Sequence, residues 1–277
     1  MSAAGSGSDL GPLGLPQVRL VLAVSLDGRL APPEGGAAQL GGAGDRRALE
    51  EALAWADGCL IGAETLRLHG STCLIRQADL LERRRLQGRP PQPWALAVSG
   101  SGRLDPQLPF FHQPLRRGLV APAGVWASSA AGFDRLWALP AEASGAASRP
   151  SPGLDSGGKA ADSCQSQGCE RQANSAATTA HQRLGSGWSV LLAELAAEGL
   201  ERLVLLGGAR LAASLLAQDL VDGIQLTLVP RLLGGGHGWL PLAPLPAPGR
   251  WELEESRPLG QGELLLRYGR LGNPASP

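Results

Sequence analysis

The sequence has 277 residues, of which 43% are hydrophobic and 18% charged, with 25 basic and 25 acidic side chains. A formal net charge of zero argues against a general attraction to nucleic acid or to an anionic membrane surface. No uninterrupted apolar run is long enough to span a bilayer, and the N-terminus lacks the pattern of a signal peptide, so we expect a cytoplasmic protein.

The first half of the chain alternates predicted strands and helices. Residues 1–16 are rich in Gly, Ser and Pro and are predicted to be flexible. The apolar run 18–24 predicts a buried strand that ends at Ser25-Leu26-Asp27-Gly28. Asp45 is interpreted as the N-cap of a helix that ends at Asp57-Gly58. Further short strands are predicted at 59–62, 94–98, 119–120 and 136–139.

The amino-acid composition of the sequence changes between about residues 141 and 187. Ser, Ala, Gly and Gln dominate there, and large aliphatic residues nearly vanish. Such a segment buries too little apolar surface to offset the entropy of ordering it, so we expect a disordered insertion within one domain at 17–272, followed by a tail at 273–277. Cys164, Cys169 and His181 lie in the insertion, and without a fourth ligand they predict no metal site.

The second half of the chain resumes the alternation. A helix is predicted at 189–199, a strand at 202–206, a helix at 209–217 and a strand at 224–229. Two strand-like runs at 251–256 and 263–268 are joined by PLGQG, which favours a hairpin. The sequence therefore predicts an α/β fold, a mostly parallel sheet flanked by helices with a C-terminal antiparallel hairpin.

Ligands of open α/β sheets bind at the carboxyl ends of the strands, here residues 25–27, 62–65, 99–102 and 207–208. Gly207-Gly208 either lets backbone N–H groups approach a pyrophosphate or forms only a tight turn. Asp27 either orients a substrate or makes an Asp-Gly turn. Thr65 either donates to a cofactor phosphate or caps a short helix.

The basic side chains also leave alternatives open. Arg76 either binds a substrate phosphate or is an ordinary surface residue, and the run 83–85 is interpreted as a solvated helix face. Arg103 is a candidate for a cofactor 2′-phosphate. His69 and His237 are isolated, so no metal site is expected. The absence of GxGxxG and GxxxxGK[ST] argues against a standard Rossmann dehydrogenase and a P-loop enzyme.

Three blocks of the sequence resemble, in order, the pyrimidine reductase domain of riboflavin biosynthesis, a branch of the dihydrofolate reductase-like fold. AVSLDGRLA at 23–31 is similar to the first-strand signature of that family. CLIGAETL at 59–66 is similar to its "DAILVGAGTV" strand and turn. Residues 205–236 resemble its "EGG…LL…GLVDEL…P.LLG" block.

This resemblance implies a homodimeric reductase that uses NADPH to convert the ribosyl group of 5-amino-6-(5-phosphoribosylamino)uracil to ribityl. It implies that Asp27 is catalytic and that Arg76 binds the substrate phosphate. Asp27→Asn is then expected to lower turnover without changing NADPH affinity. The residues that the resemblance assigns to the NADPH site are Gly62, Thr65, Gly207 and Gly208.

The chain also departs from the family pattern. Leu206 stands where the family has the acid of "EGG", and His69-Gly70-Ser71 replaces its "DDP". These changes leave two alternatives open, a reductase of a pterin or another small carbonyl or imine, and a non-catalytic NADPH-binding module. The HxE…PCxxC signature of the companion deaminase does not occur, so we expect deamination by a separate protein.

Overall fold

The computed structural model of the chain describes residues 14–36, 38–128, 131–140, 187–240 and 250–271. The predictions for the N-terminus, the insertion and the tail lie almost wholly outside these residues. Gly187, which the sequence placed at the end of the insertion, is the first residue of a helix. Strands from both sides of the predicted insertion pair in one sheet.

The described strands form a nine-stranded sheet with the order β5-β4-β3-β2-β6-β1-β7-β9-β8. The first seven strands in this order run parallel, β9 is antiparallel to β7, and β8 is antiparallel to β9. This confirms the predicted mostly parallel sheet with an antiparallel C-terminal hairpin. The strands are β1 (Gln17–Ser25), β2 (Gly58–Gly62), β3 (Trp94–Val98), β4 (Arg117–Ala121), β5 (Arg135–Ala138), β6 (Arg202–Leu206), β7 (Gly223–Val229), β8 (Trp251–Gly260) and β9 (Glu263–Arg270).

Helices cover both faces of the sheet, because its central strands are apolar on both sides. Successive side chains of β1 point to opposite faces, so Leu20 and Leu22 join one buried cluster while Val21 joins the other. The first three helices pack on the Val21 face and the last two on the Leu22 face. The helices are α1 (Ala43–Trp55), α2 (Ala63–His69), α3 (Ala78–Leu86), α4 (Gly187–Ala197) and α5 (Ala209–Ala217).

Helix α1 begins earlier than predicted, and Asp45 is not its N-cap. The N-cap is Gly42, whose backbone N–H donates to Glu263 Oε1 on β9 (2.6 Å). A side chain at Gly41 would overlap the Asp45 carboxyl group, so the glycine makes room for it. The prediction was wrong because a carboxylate from a distant strand supplies the cap, which leaves Asp45 within the first turn.

The arginine run on α3 is only partly the solvated face that the sequence predicted. Arg83 and Arg85 are exposed, but Arg84 is 1% exposed. Its guanidinium donates to four backbone carbonyls, three of which belong to the C-terminal end of α1 and the residue after it. The prediction was wrong for Arg84 because these carbonyls lack partners within the helix and need a donor from elsewhere. The four acceptors are the carbonyls of Leu53, Ala54, Ala56 and Pro90.

The C-terminal hairpin is tighter than predicted. β8 continues through Gly260, so only Gln261 and Gly262 form the turn. Their φ values of 54° and 78° fit a two-residue turn that needs positive φ at both positions. None of the helices in the described ranges is both long enough and apolar enough to cross a membrane.

Candidate functional site

A cleft of about 1470 Å³ lies where β2, β3 and β6 end, beside residues 21–23 of β1. Its lining includes Gly62, Thr65, Ser99 and the Gly207-Gly208 turn, all of which follow parallel strands. The carboxyl ends of parallel strands meet at one edge of a sheet, which explains why segments far apart in sequence converge here. The strand end at 25–27 does not line the cleft.

Four sequence-predicted residues meet at one end of this cleft. β2 and β6 are neighbours in the sheet, so a β-carbon added at Gly208 would lie 3.2 Å from Thr65 Oγ1 and 4.0 Å from Gly62 Cα. Gly207 and Gly208 have φ values of 62° and 87°, which favour glycine. The structure thus brings Gly62, Thr65, Gly207 and Gly208 together.

Two helix N-termini face the cleft at these glycines. Gly62 is the N-cap of α2 and Gly208 is the N-cap of α5, and neither end has a side-chain cap. Backbone N–H groups in the first turn of a helix have no partner within it, and the helix dipole favours an anion there. This arrangement fits a pyrophosphate, and side chains at the glycines would fill the space that it needs.

The cation beside the Gly207-Gly208 turn is Arg210, not Arg103, which was the sequence-based candidate. Arg103 does not line the cleft, and its carbonyl accepts a hydrogen bond from Arg67. Arg210, in the first turn of α5, is exposed and lines the cleft directly after Gly208-Ala209. Sequence reasoning missed Arg210, although its place two residues after the Gly-Gly pair was a usable signal.

Arg76 lines another part of the cleft, where its side chain is exposed. The backbone N–H groups of Arg76 and Gln77 donate to Oε2 of the buried Glu50 on α1 (2.7 and 3.0 Å). Arg46, on the first turn of α1, also lines the cleft. Among the described residues, neither Arg46 nor Arg76 has a side-chain partner, so both guanidinium groups are available to an anion.

Asp27 lies outside the cleft and holds two loops together. Its carboxylate accepts hydrogen bonds from Ser25 Oγ (2.6 Å) and from the backbone N–H groups of Leu233 (3.1 Å) and Gly234 (2.7 Å). The Ser25 hydroxyl, followed by the Leu233 N–H, lowers the pKa of Asp27 to about 2. These contacts are typical of a positioning residue. The predicted catalytic role of Asp27 stays a prediction.

Asp27→Asn is expected to loosen the loop after β7, because one carboxylate oxygen becomes an NH2 group that cannot accept from a backbone N–H. We expect hydrogen exchange at the amides of Leu233 and Gly234 to accelerate on the order of tenfold. Glu34→Gln, an exposed acid in the loop after β1, is the matched control and should leave both amides protected.

The lowered pKa of Asp27 determines how its contacts with the loop at Leu233 and Gly234 depend on pH. Because folding lowers the pKa from 3.8 to about 2, the ionised Asp27 stabilises the loop at all pH values above 3.8. The protection of both amides should therefore persist to below pH 4 and disappear as the pH falls through about 2. Loss of protection at pH 5 would contradict this assignment.

The floor of the cleft is apolar where the family pattern has an acid. Leu206 is 9% exposed and lies opposite Val21 in the β1–β6 register. Both belong to one buried cluster with Ile61, and Leu49 packs against it. Gly70, at the second acidic position of the family pattern, adopts a φ of 71° as the C-cap of α2, a conformation that glycine favours.

Asp45 is the acid that sequence reasoning missed. It is partly buried and lines the cleft on the first turn of α1. Desolvation raises the pKa of its carboxyl group, opposed by a hydrogen bond from the Thr227 hydroxyl. The glycines at 41, 42 and 44 around it were the available signal, since they leave space beside a carboxylate.

Metal binding finds no support in the part of the chain that the structure covers, where no three His, Cys, Asp or Glu side chains cluster. Cys164, Cys169 and His181 fall outside that part, so the prediction made for them stays a prediction. Cys59 is 2% exposed and belongs to the core.

Comparison with models of known protein families finds a match. The family model of the RibD C-terminal domain matches residues 16–121 and 164–265, which is more than half of the chain. Comparison with curated proteins found no match.

Solved structures share the fold at low sequence identity. A pyrimidine reductase-like protein from Corynebacterium diphtheriae superposes with a TM-score of 0.63 at 18% identity, over 93% of both chains. RibD from Acinetobacter baumannii gives 0.62 at 18% identity, over 93% of this chain and 58% of its own. The riboflavin biosynthesis reductase Rib7 of Saccharomyces cerevisiae gives 0.58 at 15% identity, over 93% of this chain and 91% of its own. These likenesses confirm the predicted fold class, and the chain spans little more than half the length of the Acinetobacter protein.

Proposed function

Because the chain belongs to the RibD C-terminal domain family, we propose that it is an NADPH-dependent reductase of riboflavin biosynthesis. Its substrate is 5-amino-6-(5-phosphoribosylamino)uracil, whose ribosyl group it reduces to ribityl. The observation that carries this proposal is the meeting of two uncapped helix N-termini at Gly62 and Gly208, inside a cleft that also presents two free arginines. Such a cleft suits a cofactor with a pyrophosphate and a substrate with a phosphate.

The cofactor fits the glycine-lined end of the cleft. Backbone N–H groups of the α2 and α5 first turns bind the pyrophosphate, and Thr65 Oγ1 supplies a hydroxyl donor beside Gly208. Arg210 is the cation that we assign to the 2′-phosphate. When bound, NADPH supplies the hydride for the reduction.

The substrate fits the remaining part of the cleft. Arg46 and Arg76 bind its phosphate, since both guanidinium groups line the cleft without a described partner. The apolar floor at Val21 and Leu206 packs against the reacting part of the substrate and excludes water. Asp27 acts at a distance, by fixing the loop at Leu233 and Gly234.

Arg76→Gln is expected to raise KM for the phosphorylated substrate about 10- to 100-fold, the loss of one or two charge-assisted hydrogen bonds. The turnover number should change less, because the phosphate is remote from the reacting carbon. Steady-state kinetics with the phosphorylated substrate and its dephosphorylated counterpart measure this effect.

Arg83→Gln is the matched control for that change, because Arg83 is exposed on α3 and does not line the cleft. Its KM should equal that of the wild type. If Arg76→Gln weakened both substrates equally, the contact between Arg76 and the phosphate would be disproved.

One observation favours a second candidate, a reductase of the same fold acting on a pterin or another small imine or carbonyl. Leu206 gives the cleft an apolar floor where the family pattern has an acid. Deuterium tracing separates the candidates. The reaction is run with NADPH that carries deuterium at the transferred position of nicotinamide C4. The riboflavin-pathway reductase predicts deuterium at C1′ of the ribityl product. An unlabelled product from this pyrimidine would overturn that candidate.

A further inference from the structure

We infer that Asp45 is the proton donor of this reduction, acting from the wall of the cleft onto the bond that accepts the hydride. The inference rests on the proposed function and names a residue of the same site. It is carried by the position of Asp45 and by the elimination of the other carboxyl group in the cleft.

The position of Asp45 is fixed by α1. Leu49 lies four residues later, so both side chains share one face of the helix. Leu49 packs against the cluster that contains Val21 and Leu206, the floor of the cleft. The Asp45 carboxyl group therefore stands at the edge of the apolar surface over which the substrate is reduced.

The Asp45 carboxyl group neither caps α1 nor forms an ion pair within the described residues. Glu263 takes over the capping of α1 by accepting from the N–H of Gly42, and the absence of a side chain at Gly41 opens the space that the carboxyl group occupies. The Thr227 hydroxyl on β7 hydrogen-bonds it from the sheet side. No ion pair joins Asp45 to any other residue that the structure describes.

Elimination points to the same residue. The cleft is lined by two described carboxyl groups, Asp45 and Glu64. Glu64 has 76% of its side chain exposed and forms an ion pair with Arg67 (3.1 Å), so it points toward solvent and already has a cationic partner. Desolvation favours the neutral form of Asp45, and the nearby charge of Glu263 acts in the same direction.

The other charged and titratable groups near Asp45 do not replace it. Arg46 on the same helix lowers the pKa of Asp45, which limits the rise without an ion pair. Cys73, which faces it from the loop before α3, is a poor acid because burial raises the pKa of its thiol to about 11. His237 also lines the cleft, but its Nε2 lies 3.3 Å from the carbonyl of Pro33.

The proposed step balances in charge and atoms. Opening of the ribosyl ring breaks the C1′–O4′ bond, moves the amine proton to O4′ and leaves a C=N bond between C1′ and nitrogen. The hydride adds to C1′ of this bond, and the π electron pair moves to nitrogen. The Asp45 carboxyl proton transfers to that nitrogen, which leaves an amine and the Asp45 carboxylate. Water then returns a proton to Asp45 before the next turnover.

The test compares Asp45→Asn with Glu51→Gln, a control with the same loss of charge on the same helix. Glu51 pairs with Arg47 and Arg257 and does not line the cleft. We expect Asp45→Asn to lower kcat at least 100-fold with unchanged NADPH affinity, and Glu51→Gln to keep the wild-type kcat. The kcat of the wild type should fall as the pH rises and Asp45 loses its proton, whereas the residual rate of Asp45→Asn should lack this dependence.

A second measurement does not need turnover. A carbon-13 NMR titration of the wild-type carboxyl groups, with the Asp45 signal assigned by its loss in Asp45→Asn, should give a midpoint above the ordinary 3.8. A midpoint at or below 3.8 would overturn the proposal. So would a kcat of Asp45→Asn within threefold of the wild type, which would leave the proposed function intact. A wild-type protein that reduces no substrate would instead overturn both.

Discussion

The Gly208→Val variant is expected to bind NADPH about 100-fold more weakly than the wild type. At a φ of 87°, a β-branched residue is strained, and its Cβ would lie 3.2 Å from Thr65 Oγ1. Its methyl groups would occupy the space into which α5 presents its first N–H groups. Both effects act on the cofactor site, which is why a single added side chain has so large an expected effect. Titration of the purified variant with NADPH, followed by fluorescence or calorimetry, measures it.

A matched control separates the effect of backbone strain from the effect on the NADPH site. Gly199 has a similar φ of 81°, with no atom within 4 Å of an added Cβ, and it does not line the cleft. Gly199→Val should therefore lower the melting temperature through the same backbone strain while keeping the wild-type NADPH affinity. Unchanged affinity in Gly208→Val would move the pyrophosphate away from this turn.

The Arg84→Met variant is expected to lose about 3 kcal/mol or more of its free energy of unfolding. Methionine fills a similar volume but donates no hydrogen bond, so the four carbonyls around Arg84 lose a buried donor. Arg89 also donates to the carbonyls of Ala54 and Trp55, which limits the loss at Ala54. Burial lowers the pKa of Arg84 to about 10, so its guanidinium is still charged at neutral pH.

Urea unfolding of Arg84→Met and Arg83→Met measures this loss. Arg83 is the adjacent, exposed residue, and its replacement should change the free energy of unfolding by less than about 0.5 kcal/mol. Equal stability of the two variants would show that the carbonyls at the end of α1 find other donors.

The strands of the parallel sheet were predictable because they are buried on both faces. β3 and β6 were predicted with their observed bounds, since WALAV and RLVLL are short apolar runs between polar or turn-forming residues. α2 was only one of two alternatives left open at Thr65, because AETLRLH is short and its N-cap, Gly62, has no capping side chain. Local pattern thus identified the core strands and left this short helix undecided.

The candidate site was predictable only where its residues follow strands. Gly62 and Gly208 stand at strand ends, so their meeting follows from the strand order of the sheet. The role of Asp45 depends on Glu263, which caps α1 from a position 221 residues away. The burial of Arg84 depends in the same way on the end of another helix. Contacts of this kind leave no periodic signal in the sequence.

The most direct test of the proposed function is the oxidation of NADPH by the purified protein, followed by the loss of absorbance of the reduced nicotinamide. The reaction is measured with and without 5-amino-6-(5-phosphoribosylamino)uracil. The structure-based proposal predicts oxidation that depends on this substrate and is weakened by Gly208→Val but not by Gly199→Val. Tight NADPH binding without substrate-dependent oxidation would contradict it.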